Sequence, residues 1–402
     1  MNSFCELVKF EYRKILKKRS TVIILILGIL LTAFSCVGPL MGNYYIRGEV
    51  YESNYEGMKK DREYARGLSG REINSDLLSE TIEAYSHIPI VEGRFTDTDE
   101  YQQYARPYSE IQYMIRKVYN IDNFREMFSI SKESLDDFYT VRQSMVEKII
   151  NNTAMNSAEK ANSLNLSRKV KTPFIYSYAG GYTRLFSQMY VTALIICFIC
   201  SVCIAPLFAG EYTDRADSLI LSSKYGKNKI IHAKLFTGIS FTVLLCIVLT
   251  IVSFVTTMIF FGWDGSNSPI QLFLPLSIVP YTMGKIALMY SILILFASIL
   301  SSALTMLLSA KFRSPFMVVV IMTVITVLPG FVNISEDVPW IYHLSNLVPA
   351  RMFKLENIIN IFSIEFLGLI IQPYVLILSF AVLASMALLP FAYRSFKNHN
   401  CI

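Results

Sequence analysis

Long apolar runs alternate with short polar stretches along the chain, and this alternation predicts most of its architecture. A helix rises 1.5 Å per residue, so about 20 apolar residues cross the ~30 Å hydrocarbon core of a bilayer. Runs near that length occupy residues 21–42, 186–209, 235–263, 284–310, 315–332 and 371–392, predicting six membrane-spanning helices. Residues 43–185 break the pattern. Residues 43–182 alone hold 18 Lys/Arg and 21 Asp/Glu, enough polar surface for an independently folded domain. Within it, Leu78, Ile82 and Tyr85, then Ile111, Ile115, Val118 and Ile121, then Phe138, Val141, Met145 and Ile149 recur at helical spacing. The domain is therefore predicted to be mostly helical, with Ser134 and Asp137 spaced as a capping box at the start of the last helix.

Two further segments are amphipathic. In residues 1–20, Phe4, Leu7, Val8, Tyr12, Ile15 and Leu16 form an apolar stripe, with Lys9, Arg13, Lys14 and Lys17 mostly on the other side. Such a helix lies in the membrane interface, apolar side down and cations near lipid phosphates. Residues 333–370 contain two proline-bounded, semi-apolar stretches that fit short re-entrant helices covered by protein.

Composition and charge sharpen this picture. The chain has 402 residues, 53% hydrophobic and 17% charged, too apolar for an ordinary soluble domain. The fold class expected is an all-α polytopic membrane protein. Residues 1–20, 210–234, 311–313 and 393–402 together carry 15 Lys/Arg against 5 Asp/Glu, and the remainder carries 22 against 26. By the positive-inside rule the basic pieces face the cytoplasm. This orients the chain in the plasma membrane with both termini cytoplasmic, a cytoplasmic tail at 393–402 and the 43–185 domain extracytoplasmic. Residues 1–20 lack a clear cleavage site, so the first span reads as a retained anchor.

Candidate chemistry is sparse. The predicted spans hold no Asp, Glu or Arg in their interiors, and Lys285 sits at a span end, which disfavours proton relays and ion pathways. His87, His232, His343 and His399 are scattered, and the Cys197, Cys200 and Cys203 series lies inside an apolar helix as small core residues. No phosphate-binding loop occurs; residues 224–229, KYGKNK, lack the upstream glycine and the following hydroxyl. The chain is expected to catalyse nothing, to bind no cofactor or metal itself and to contact no nucleic acid.

The loop at 210–234 is the most informative stretch. Leu219, Ile220 and Leu221 form an apolar centre, with Asp214, Arg215, Asp217 and Lys224 as a mixed-charge rim, which is the anatomy of a protein interface. A lysine-rich topological loop would explain Lys224, Lys227 and Lys229. It would not explain Glu211, Asp214, Asp217 or the apolar triplet.

Glu211, then DSLILSS at 217–223, a Gly226-Lys227 turn and Lys234 opening the next span resemble the signature of ABC-2 type transporter permeases. The resemblance extends to the interfacial helix, six spans and inside termini. It implies a permease that pairs with a second permease, as homodimer or heterodimer, and with two cytoplasmic ATPase subunits that bind ATP and Mg. Residues 211–226 would be a coupling helix docking on the ATPase through Glu211, Asp214, Arg215, Asp217, Leu219, Ile220, Leu221 and Lys224, with the N-terminal helix beside it. The large 43–185 domain departs from the smallest members, whose first external loop is short. The function expected is export of a peptide-like or amphiphilic substrate, as in antibiotic or bacteriocin efflux and immunity. The alternative is a membrane-anchored sensor or scaffold whose external domain binds a ligand.

Overall fold

The computed structural model describes residues 3–46, 48–91, 94–332, 334–335 and 338–399. From the N-terminus, α1 (Ser3–Leu16) and α2 (Arg19–Val37) lead into a hairpin of β1 (Asn43–Ile46) and β2 (Glu49–Ser53). Helices α3 (Asn54–Leu68), α4 (Ser75–Ser86), α5 (Ser109–Tyr119), α6 (Lys132–Asp136), α7 (Phe138–Asn152) and α8 (Ser157–Ser167) complete the polar domain. The bundle resumes with α9 (Gly180–Ile204), α10 (Pro206–Thr213), α11 (Asp217–Ser222), α12 (Ile231–Phe261), α13 (Met283–Lys311) and α14 (Pro315–Val327). Short helices α15 (Pro339–Asn346), α16 (Pro349–Met352) and α17 (Leu355–Ile358), a hairpin of β3 (Ile364–Phe366) and β4 (Leu369–Ile371), and α18 (Pro373–Lys397) close the chain.

Among the described residues, five helical stretches are long and apolar enough to cross a membrane: Arg19–Leu40, Gly180–Thr213, Gly226–Phe261, Met283–Lys311 and Pro373–Lys397. The fifth predicted span, 315–332, is a shorter apolar helix, Pro315–Phe331. Helix is the form such segments must take, because hydrocarbon offers no partner for a backbone N–H or C=O. Their packing relies on small residues. Gly28 lies so close to α9 that a Cβ there would meet Ile199 Cδ1 at 2.2 Å, and Cys197, Cys200 and Cys203 are buried along the same helix. Helix α1, the end of α18, α10, α11 and the start of α12 lie at one end of the bundle, here the terminal end. The polar domain, the 262–282 connection and the short helices lie at the other, the domain end.

Several boundaries differ from expectation. Helix α9 starts at Gly180, so the polar domain ends near Ala179 and Arg184 belongs to the helix. Arg184 donates to the carbonyls of Ser35 and Cys36 at 2.8 and 2.9 Å, capping the last turn of α2. Residues 393–397 are not a free tail but the last turn and more of α18. The predicted capping box is displaced: Ser131, not Ser134, caps α6 by accepting from the Ser134 amide, and α7 begins at Phe138 without a side-chain cap. The buried stripe of α7 is Phe138, Arg142, Val146 and Ile150, one residue on from Val141, Met145 and Ile149.

The polar domain has its own core, with Leu77, Leu78, Tyr85, Ile111, Ile115, Val118 and Phe138 buried together. Buried Arg142 fastens it to the bundle. Its Nε donates to the Pro275 carbonyl at 2.7 Å and its guanidinium to the Ser277 carbonyl at 2.8 Å, while burial pushes it down to about 10, so it stays charged at neutral pH. Within the domain, Glu52 is buried between Lys60 at 2.7 Å and Arg106 at 2.6 Å. Desolvation works to raise its carboxyl, but hydrogen bonds from Lys60 and Arg106 hold it below the usual 4.5. A carboxylate depressed on folding stabilises above its unfolded value, and that contribution is lost as pH falls through the folded value, here below about 4.5. Glu52→Gln is expected to lower the unfolding temperature at neutral pH and to flatten its fall as pH drops below about 4.5. An acid limb as steep as that of the unsubstituted chain would show that Glu52 is not the group responsible.

Candidate docking platform and its buried ion cluster

The terminal end is organised by a break in the second long helix. Pro206 has no N–H to continue the ladder of α9. Ser309 of α13 repairs the junction, donating to the Ala205 carbonyl at 2.6 Å and accepting from the Phe208 and Ala209 amides at 3.1 and 3.0 Å. Helix α10 then runs to Thr213 with Tyr212 donating to the Ala310 carbonyl at 2.9 Å. Arg215 takes a left-handed conformation (φ 52°), turning the chain into α11. Gly226 lies against the end of that helix, where a Cβ would come within 1.6 Å of the Ile220 carbonyl oxygen. Only glycine allows this approach.

Where these elements meet, the apolar interior holds a charged tetrad. Lys234, on the first turn of α12, is 0% exposed. Its Nζ bonds to Glu211 Oε1 of α10 at 2.5 Å and to Glu11 Oε2 of α1 at 3.0 Å. Lys14 reaches the same Glu211 oxygen at 2.6 Å from the half-exposed side of α1. The two cations and two carboxylates balance in charge. A cleft of about 400 Å³ runs beside them, bounded also by Lys18, Asp214 and Phe316.

Helix α1 supplies one wall. Its stripe packs on α12 rather than facing lipid throughout: the Phe4 and Phe236 rings meet edge-on at 6.0 Å, Tyr12 donates to Ser240 at 2.8 Å, and Ile15 is buried. Leu7 and Val8 are half-buried along the same side, while Arg13, Phe10 and Leu16 are exposed. The apolar stripe was legible in the sequence; the protein that covers it was not.

The residues predicted to form a docking surface divide into two sets. Glu211 is 6% exposed and committed to two lysines, so its carboxylate is not presented to a partner. Leu221 is buried in the bundle core and Ile220 packs half-buried against it. Leu219, by contrast, is 74% exposed, and Asp214, Arg215 and Lys224 are exposed around it. Asp217 is half-buried, 3.7 Å from His399. The apolar triplet is thus an anchor on one side and an open face on the other. Residues that sequence reasoning passed over complete the platform: Phe396 stacks near Phe208 and Tyr212, and Tyr393 donates to the Lys227 carbonyl at 2.9 Å. Glu11 carried a usable signal, because an acid on an otherwise apolar helix face requires a buried partner.

A family model described as ABC-2 family transporter protein matches residues 5–398. The chain belongs to this family. No curated protein and no solved structure matches it. An ABC-2 chain is the membrane subunit of an ABC transporter, and the ATPase with its ATP is a separate partner. The buried tetrad holds three helices of this permease together.

Removing Lys234 alone should be far more costly than neutralising it together with both of its carboxylate partners. Lys234→Met leaves two buried carboxylates facing each other and is expected to cost about 3–5 kcal/mol, read as a lowered thermal midpoint in detergent. The same change combined with Glu11→Gln and Glu211→Gln should recover much of that loss. A triple variant less stable than the single one would contradict a self-contained ion cluster.

Proposed function

We propose that this chain is the membrane subunit of an ATP-driven exporter, working with a second permease and two cytoplasmic ATPase subunits. In this reading the terminal end faces the cytoplasm, six helices span the membrane with Pro315–Phe331 as the short fifth, and the polar domain stands outside. The observation that carries it is the split character of α11, with Leu221 anchored in the bundle and Leu219 exposed at 74% within a rim of Asp214, Arg215 and Lys224. An apolar residue in that setting suits a pocket on a partner. The tetrad behind it links α10 to α1 and α12, so a push on α11 reaches two membrane helices and the N-terminal helix. The polar domain carries a cleft of about 440 Å³ lined by Tyr44, Arg62, Tyr101 and Arg106, which suits a peptide-like or amphiphilic substrate, as in antibiotic or bacteriocin efflux.

Because Leu219 is exposed in the isolated chain, Leu219→Asp should leave folding intact. Co-purification of the nucleotide-binding subunit with the tagged variant is expected to fall at least tenfold, since an unpaired charge desolvated at an interface costs about 2–5 kcal/mol. Undiminished recovery of the ATPase with Leu219→Asp would overturn the docking assignment.

A further inference from the structure

A cavity of about 720 Å³ opens at the domain end, between the strand-like stretch leaving α8 and the 262–282 connection of α12 and α13. That volume suits a small ligand. Its walls are held by backbone bonds: the Ile270 amide to the Tyr281 carbonyl at 3.1 Å, and the Met283 and Gly284 amides to the Ser268 and Ser266 carbonyls at 2.9 Å each. Gly265 (φ +86°) lies so near the domain that a Cβ there would fall 2.5 Å from that of Ala179. The cavity is therefore formed by both the domain and the bundle, with Arg142 fixing one against the other.

Its lining is chemically asymmetric. Lys169 and Lys171 line it, and neither is ion-paired with an acid among the described residues. Trp263, 59% exposed, and Ile175 offer apolar surface, with Trp263 steadied edge-on against Phe254 at 5.8 Å. Ser268 lines the cavity as well. It is 5% exposed and its hydroxyl, buried, has no hydrogen-bond partner among the described residues, although buried hydroxyls are ordinarily satisfied. Two cations without an acid partner and an indole face together describe a complement to one kind of molecule.

We infer that this cavity binds an amphiphilic anion, its carboxylate or phosphate head on Lys169 and Lys171, and its apolar body along Trp263 and Ile175. The head is held by charge-assisted hydrogen bonds and the body by burial. Such a molecule comes either as a free amphiphile or as an anionic phospholipid of the adjoining leaflet. The inference stands on the cavity alone and is tested without an ATPase, so its failure and that of the docking assignment are read separately.

The chain has two tryptophans, so Trp340→Phe leaves Trp263 as the only indole reporter. The full chain carrying that change is placed in phosphatidylcholine nanodiscs and titrated with dodecyl phosphate and, separately, with dodecyltrimethylammonium, both below their micelle-forming concentrations. Saturable change in Trp263 emission with the phosphate and none with the ammonium is expected. Lys169→Ala with Lys171→Ala should weaken binding by about tenfold or more, as loss of hydrogen bonds between charged groups implies. In phosphatidylglycerol nanodiscs, emission already shifted and a weakened titration would identify lipid as the occupant; unchanged emission and titration would identify a free amphiphile. A non-saturable response, equal binding of the ammonium compound, or undiminished binding by the double-alanine chain would overturn the inference.

Discussion

Everything at the terminal end depends on one buried lysine. A charge at the position of Lys234 is tolerated only because Glu211 and Glu11 meet it, and Lys14 balances the second carboxylate. The constraint is mutual. Helix α10 cannot leave α12 without stranding a charge, and α1 cannot leave either. A few kilocalories of desolvation penalty thus turn three separately folded helices into one block, placed directly behind the only exposed leucine of the 217–222 helix. An apolar contact in the same place would hold the helices but allow sliding; a fixed set of charge pairs specifies register.

A second clamp acts at the other end. Arg142 takes two backbone carbonyls of the α12–α13 connection into the base of the polar domain, and Arg184 takes two from the end of α2. Among the described residues, neither arginine meets a carboxylate. Each satisfies carbonyls that would otherwise be left bare; Arg184 ties two bundle helices together, and Arg142 fixes the polar domain against the bundle. Motion of the helices would accordingly reshape the cavity that the domain and the bundle share.

The long helices were readable because bilayer thickness imposes their length and composition, whatever their neighbours. What covers a helix face is not a local property, and there the reading stopped short. The stripe on α1 was visible while its partner, α12, was not. Helix α11 is too short for periodicity to tell Leu219 from Leu221, so both were assigned to one surface although one faces inward. In α7 the buried face was misplaced by one residue because Arg142 sits in it, and a charged residue in a sequence reads as solvent-facing until its carbonyl partners, more than 130 residues away, are known. The two short hairpins left no usable alternation, being only three to five residues per strand.

Through Lys234, α1, α10 and α12 form one mechanical unit. Hydrogen–deuterium exchange of the full chain in nanodiscs measures this directly, comparing residues 3–16 and 206–222 in the unsubstituted chain and in Lys234→Met. Exchange should rise in both segments together, with little change in the polar domain. A rise confined to residues near position 234, with α1 and α10 protected as before, would contradict it.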